Sequence, residues 1–371
     1  MQLAAVTLRK FIQKRVDLLG LRKARWIARD PYANDPPESS CDSEYPYTLG
    51  IIKEFWHAHW PYIGACRELG VAYKVLDLSG PDWLTVVERS GCDAFLVWPS
   101  VQLSVWKRMF DERLRIMSED LNCVLFPDYG ALWLYESKRR MHYWLEGHGV
   151  PHAKTWVFYD LEEALAFADR VDLPIVYKTD LGSGASGVII FRRRRALKRH
   201  IKRCFRKGFT TYRRCRNDKE WSVVLLQEYI ADASEWRMIR IGDSFFGYEK
   251  AKAGDFHSGS HRWRYGRPPS GLLDLTKSIT DENDFLSMDL DIFVAPDGRY
   301  LVNELQALFG MGNPYEMCVV DGKRGRMRYA GPGVGWQFEE GSFCQNYLCN
   351  LRVRALLQKL DARAACLTGI A

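Results

Sequence analysis

The sequence predicts an α/β protein in which a Rossmann-like parallel-sheet domain precedes a region built from antiparallel hairpins. Three observations carry this. From Leu49 to Phe126, short β-branched and aromatic runs alternate with helical patterns, which is the signature of a parallel sheet with right-handed crossovers. Residues 175–191, IVYKTDLGSGASGVIIF, read as strand, glycine-rich loop and strand. Residues 289–306, DLDIFVAPDGRYLVNELQ, place the turn chemistry of Pro296-Asp297-Gly298 between two strand-like runs.

Taken in order, residues 1–30 pattern as a basic amphipathic helix with Leu8, Ile12, Val16 and Leu19 near one face. With a Pro- and Ser-containing linker from Asp30 to Tyr47 they make an N-terminal extension over 1–47, suited to packing on the body, to dimerisation or to peripheral membrane contact. A domain over 48–136 follows. Its strands are expected near 49–52, 71–76, 94–98 and 124–126, with helices through 64–69, from Asp82 and over 103–118. Ligands of such sheets bind beyond the carboxyl ends of the strands. The aromatic loop Phe55 to Trp60 follows the first strand, making His57 and His59 candidate substrate contacts. A helix around 137–148, the glycine hairpin, a basic helix, a strand over 223–230, a strand pair at 236–241 and 245–248 and the Asp-Gly hairpin occupy 137–312. A Gly- and aromatic-rich tail that turns helical, 313–371, is expected to cap the acceptor site.

Composition narrows the function. A chain of 371 residues with 47% hydrophobic and 13% aromatic residues builds a core and is not disordered. No apolar run approaches the roughly 20 residues of a membrane helix, and Arg9, Lys10, Lys14 and Arg15 stand where a signal peptide would be apolar, so a cytoplasmic protein is expected. The ten cysteines form no C-x-x-C pair, which speaks against structural zinc and a disulfide framework. The net charge of +7 depends on residues 192–216, which hold 13 Lys and Arg and no acid; without them the chain is net acidic. Such a run reads as a solvated cationic helix face or suits nucleic acid, an anionic membrane surface or an acidic polymer, and its lack of regular aromatic interleaving speaks against single-stranded nucleic acid.

The glycines Gly182, Gly184 and Gly187 match Gly-x-Gly-x-x-Gly, a pattern several phosphate cradles share. A dinucleotide fingerprint runs from strand into helix, whereas here Val188 to Phe191 read as strand. The kinase reading fails as well, because the chain has neither His-Arg-Asp nor Asp-Phe-Gly, and Lys178 precedes the loop rather than lying on a later strand. In the second hairpin, a turn centred on the Asp-Gly pair sets Asp291 opposite Glu304, with Gln306 on the same face. Two like charges directly opposed need something positive between them. Two carboxylates and an amide oxygen suit Mg²⁺ together with phosphate oxygens, unless Arg or Lys neutralises the pair instead.

Several separated motifs in one order make the chain resemble the ATP-grasp superfamily, over about Lys138 to Gly312. The resemblance implies two α+β subdomains clasping ATP behind the Rossmann-like domain. SKRRMHYWLEGHGVPHAKTW supplies Lys138 as the first nucleotide-binding lysine. PIVYKTDLGSGASGV supplies Lys178 as the second, with Gly182, Ser183, Gly184, Ala185, Ser186 and Gly187 as the phosphate loop. LLQEYIADASEWR resembles the hinge: Gln227, Glu228, Tyr229 and Ile230 at the adenine and Glu235 at the ribose. Asp291, Glu304 and Gln306 fall at the spacing of the family's metal ligands, Gln standing where Asn is commoner. An arginine often found two residues before the metal-binding Asp is replaced by Asp289, which leaves Arg237, Arg240, Lys250 and Lys252 to stabilise phosphate or oxyanion. Residues 250–266 resemble the substrate-side loop of amino-acid ligases, with His257 where arginine is usual and Ser258 beside it.

The activity this resemblance implies is ATP-dependent carboxylate–amine ligation through an acylphosphate, releasing ADP and phosphate, with Mg²⁺ (or Mn²⁺) as cofactor. An ATP-grasp phosphotransferase acting on a hydroxyl is the alternative enzyme class, and a non-catalytic nucleotide-binding module a third reading. The implied partners are a carboxylate on a small molecule or anionic polymer and an amine co-substrate, with a homodimer as the common assembly and nucleic acid not expected.

Overall fold

The computed structural model describes residues 18–38, 43–182, 184–210, 218–252, 254–255, 262–309 and 317–368. In chain order the elements are α1 (Leu18–Ile27), β1 (Thr48–Ile52), α2 (Trp60–Glu68), β2 (Ala72–Leu76), α3 (Trp83–Glu88), β3 (Ala94–Leu96), α4 (Ser104–Arg115), β4 (Val124–Phe126), α5 (Tyr129–Leu134) and α6 (Lys138–Gly147). Then come β5 (Thr155–Phe158), α7 (Leu161–Arg170), β6 (Ile175–Lys178), β7 (Val188–Phe191), α8 (Arg194–Lys207), β8 (Phe209–Thr210), β9 (Lys219–Glu220) and β10 (Val224–Glu228). The rest are β11 (Ser234–Ile241), β12 (Ser244–Lys250), β13 (Trp263–Tyr265), α9 (Ser270–Glu282), β14 (Ser287–Val294), β15 (Tyr300–Gln306), β16 (Cys318–Val320), β17 (Lys323–Tyr329), β18 (Trp336–Glu340) and α10 (Cys349–Thr368).

Three principal sheets organise these elements. The first is parallel, in the order β2-β1-β3-β4, as the alternation between 49 and 126 predicts. The second, β5-β10-β6-β7, is antiparallel and carries the glycine hairpin. The third runs β15-β14-β11-β12-β17-β16, with β13 on β12 and β18 on β17. The strands after residue 317 therefore continue the sheet that carries the carboxylate hairpin, and α10 packs against α2 of the first domain.

The segment expected as a linker is likewise bonded to the body: Val75 donates its N–H to Pro37 O, Glu44 its N–H to Gly70 O, and Tyr47 its hydroxyl to Asp361. Of the N-terminal helix, the described part is α1; Leu8, Ile12 and Val16 lie outside the described residues.

The apolar residues form two cores. The larger joins the parallel sheet to the third sheet through residues such as Ile51, Phe95, Leu290 and Leu356. The smaller lies between the second sheet and helices α7 and α8, around Tyr177, Leu197, Ile201 and Leu226. In α8 the apolar spacing Leu197, His200, Ile201, Cys204 faces this core, which leaves the Lys and Arg side chains to solvent. Among the described residues no helix is long and apolar enough to cross a membrane.

Candidate nucleotide and metal site

A cleft opens between the second and third sheets. From the glycine side it is lined by Lys138, Val176, Lys178, Gly182, Gly184, Ala185, Val188 and Ile190; from the strand β10 and its exit by Gln227, Glu228, Tyr229 and Ile230; and from the third sheet by Glu235, Lys252, Asp255, Phe293, Asn303 and Glu304.

The glycine hairpin is shaped by backbone requirements. Gly182, Gly184 and Gly187 have φ of 136°, 59° and 82°, in the region that favours glycine. At Gly187 a Cβ would also lie 2.0 Å from Thr179 Oγ1, so no larger residue fits. Across β6 and β7, Lys178 pairs with Val188 and Val176 with Ile190. One face of the hairpin thus offers an amine above a strip of apolar surface, an arrangement suited to a phosphate and a flat base. The Ser186 hydroxyl is buried without a hydrogen-bond partner among the described residues, a donor left over in the loop that would meet phosphate oxygens. Ser183 lies outside the described residues.

Lys138, in the first turn of α6, donates to Gly182 O and lies 3.7 Å from Glu304. Lys178 donates to Asn303 Oδ1 at 2.7 Å. The two amines differ electrostatically. Burial acts to lower both, but at Lys138 the carboxylates of Glu304, Glu136, Asp180 and Glu220 outweigh it and hold the ammonium firmly charged. At Lys178 burial wins, and the amine falls to about 8.

The carboxylate hairpin adopts the register expected, Asp291 opposite Glu304 and Asp289 opposite Gln306. The turn alone does not produce it. Nearer the turn Ile292 pairs with Val302, and a β-bulge between the two pairs takes up Asn303 as the extra residue. The bulge turns both Asn303 and Glu304 to the cleft.

The positive charge demanded by the opposed carboxylates comes from the neighbouring strands. Arg237 sits directly across from Asp291 on β11 and binds it at 3.0 Å, and Asp289 at 3.3 Å. Lys250 bridges Asp291 and Glu235, the latter at 3.0 Å. Burial would raise the Asp291 carboxyl, but Arg237 and Lys250 hold it well below the usual range. Burial opposes ionisation of Glu304 too, and Lys138 and Lys178 overcome it.

The cation expected two residues before Asp291 is therefore supplied across the sheet by Arg237. Asp291 and Gln306 lie behind the lining of the cleft rather than in it, and Gln306 Oε1 accepts the Glu136 N–H at 3.0 Å. Of the three expected oxygen donors Glu304 alone lines the cleft, a carboxylate ionised at neutral pH and suited to a hard cation, while Asp291 and Gln306 are engaged behind it.

Other expected residues stand elsewhere. Arg240, at the far end of β11, is held by Gly242 O, Thr280 and Asp281, with no approach to the cleft. Lys252 lines the cleft with its amine over the Tyr229 ring. Glu228 accepts the Lys154 N–H at 2.7 Å, and Gln227 donates to Thr155 at 3.1 Å. His257 and Ser258 lie outside the described residues.

His57 does not line the cleft; its Nδ1 faces Asp30 at 2.9 Å. Asp30, His57 and His59 are close enough together to be weighed as metal ligands, but His59 Nδ1 accepts the Glu54 N–H at 3.0 Å. That bond leaves the His59 proton on Nε2, and burial pushes the ring down to about 3. A ring fixed in that tautomer offers no lone pair to a metal.

Sequence reasoning missed Asn303, Val176, Ile190, Phe293 and Asp255. The period-two spacing of Val176 with Lys178, and of Val188 with Ile190, carried that signal; the bulge that exposes Asn303 left none.

No family model matches the chain. Over 201 residues it is 23% identical to the alpha-aminoadipate–LysW ligase of Sulfurisphaera tokodaii, a match covering 51% of this chain and 65% of that ligase. In structure it is similar to N5-carboxyaminoimidazole ribonucleotide synthetase in its ADP complex, with TM-score 0.53, 13% identity and coverage of 75% of this chain and 74% of that one. It is similar to D-cycloserine synthetase as well, with TM-score 0.53, 18% identity and coverage of 84% and 99%. A third likeness is to the biotin carboxylase domain of 2-oxoglutarate carboxylase from Hydrogenobacter thermophilus, crystallised with MgADP, with TM-score 0.52 and 14% identity over 74% of this chain and 66% of that one. With a parallel-sheet domain in front and a cleft between two antiparallel sheets, the chain has the ATP-grasp fold.

Proposed function

We propose that the protein is an ATP-dependent carboxylate–amine ligase that forms an amide bond through an acylphosphate and releases ADP and phosphate. The observation that carries this reading is the meeting of Lys138 and Lys178, on the glycine side, with Glu304 and Asn303 on the carboxylate hairpin. Adenine lies against Val176, Ile190, Tyr229 and Ile230, with Glu235 near the ribose. The glycine loop N–H groups and the two lysines hold the phosphates. Mg²⁺ would be held from the carboxylate hairpin by Glu304, with Asp291 and Gln306 framing it from behind, and would supply charge neutralisation on phosphate oxygens. Lys252, and Arg237 acting through Asp291, complete the cationic surround. Burial of the lysines and carboxylates keeps water from a hydrolysable acylphosphate.

For the substrate, the reading is a carboxylate on a small molecule or anionic polymer. The exposed cations Arg195, Arg199, Lys202 and Arg206 recur along α8 at steps of four, three and four and so share one face. The test is release of ADP and phosphate with Mg²⁺-ATP against a panel of carboxylates and amines, followed by mass spectrometry. A product one water lighter than its two precursors supports the ligase; ADP with only a phosphorylated product refutes it in favour of phosphotransfer.

A further inference from the structure

The two lysines of the cleft belong to different elements, α6 and β6, yet both must be placed to a fraction of an ångström. The structure puts one residue between them. Asp180 follows Lys178 by two positions and precedes Gly182 by two. Its carbonyl accepts the Lys138 N–H at 3.1 Å. Its carboxylate accepts the Ser137 hydroxyl at 2.8 Å, the Arg139 N–H at 2.9 Å and the Arg139 guanidinium at 3.0 Å.

These bonds amount to a helix cap supplied from another strand. Ser137 occupies the N-cap position of α6 but its side chain caps no N–H of its own helix; the Asp180 carboxylate satisfies one instead. Glu220, on β9, in turn accepts the Asp180 N–H at 2.6 Å. The chain reaches β9 through Gly208, at the end of α8, where a Cβ would lie 2.8 Å from Glu220 O.

We propose that Asp180 is the positioning residue that fixes Lys138 and the Lys178–Gly182 segment in one frame for nucleotide binding, and that Glu220 holds Asp180 in register. The proposal rests on the nucleotide reading of the cleft. Nothing in it requires Asp180 to touch ATP. Its backbone and side chain bond the elements that do, and removing its carboxylate frees the start of α6 to turn relative to the glycine loop.

The experiment is calorimetric titration of the full chain with MgADP, alongside KM and kcat for ATP and thermal unfolding. Asp180→Ala is expected to weaken MgADP by about tenfold to a hundredfold, the scale of a misplacement of about 1 Å, while still unfolding cooperatively. Asp180→Asn keeps an oxygen for Ser137 and the Arg139 N–H and should recover most of the affinity. Glu220→Gln keeps the acceptor for the Asp180 N–H and should bind nearly as the parent does, whereas Glu220→Ala should not. Wild-type affinity in Asp180→Ala overturns the proposal, as does Asp180→Asn binding no better than Asp180→Ala, and as does failure of both Asp180 variants to fold. Absence of MgADP binding by the parent protein overturns the nucleotide reading itself, and the proposal with it.

Discussion

The glycine hairpin and the carboxylate hairpin face each other across the cleft, and they handle buried charge in opposite ways. On the carboxylate side the anions are answered within the sheet: Asp291 has both Arg237 and Lys250. On the glycine side Lys178 has, among the described residues, only the neutral oxygen of Asn303 at hydrogen-bond distance, and its amine falls to about 8. The difference teaches where an incoming anion gains most. A polyphosphate adds the charge that Lys178 lacks, whereas Asp291 is already satisfied and contributes a fixed frame.

The sharpest way to break this comparison is to remove one side chain from each rim. Glu304→Ala and Lys178→Ala are both expected to reduce ATP turnover by at least about a hundredfold, because each acts on phosphate or metal charge in a largely buried site. Both variants should remain folded, as neither side chain belongs to an apolar core. Measuring ADP release beside circular dichroism checks this, and normal turnover in either variant removes that residue from the site.

Asp291 should behave differently from Glu304 although the two are paired. Asp291→Ala leaves Arg237 and Lys250 buried without their shared carboxylate and is expected to cost about 3–5 kcal/mol of stability. Adding Lys250→Met to it should restore part of the loss. Denaturant unfolding of the single and double variants decides the point. Equal stability of Asp291→Ala and Glu304→Ala would erase the distinction between frame and ligand.

How much of this was legible in the sequence follows the same division. Local patterns sufficed wherever turn chemistry and alternation set the structure: the parallel domain, the glycine hairpin, and the opposition of Asp291 and Glu304 lie where residue order places them. The reason given for that opposition was incomplete, because the turn sets one register and the bulge at Asn303 shifts it by one. What sequence could not show were bonds between distant elements. Arg237, a candidate phosphate-binding group by sequence, is taken up by two aspartates across the sheet; Arg240, three residues on, faces α9 and not the cleft. The bonding of the 30–47 segment along the first domain belongs to the same class, since nothing local in a Pro-rich stretch tells what it will lie against.

A pH series sharpens the comparison with a smaller effect. With Lys178 at about 8 in the folded protein and 10.5 as its ordinary value, the amine loses its proton as pH rises through 8, and KM for ATP should climb between pH 7 and 9. Lys178→Arg should flatten that rise. The stability linkage has the opposite sense. Between about 8 and 10.5 the unfolded chain binds the proton that the folded one does not, so this group makes unfolding harder as pH increases across that window. A fall of KM above pH 8 would contradict the charge argument.

The smallest effect on the fold, and the most selective one on activity, is expected from the surface of the glycine-side lobe. Arg195, Arg199, Lys202 and Arg206 are exposed on α8, and none is in an ion pair among the described residues, whereas the neighbouring Lys198 bonds Asp169 and Arg194 bonds the carbonyls that end α7. The buried face of α8 holds the smaller core without them. Charge reversal of Arg195 and Arg199 should therefore change stability by no more than about 0.5 kcal/mol. Turnover with a small carboxylate should be unaffected, while turnover with an anionic polymer should fall, and the difference should shrink as salt screens the contact. Equal losses with both substrates would mean that the reversal disturbs α8 and, through Gly208 and Glu220, the frame of the cleft.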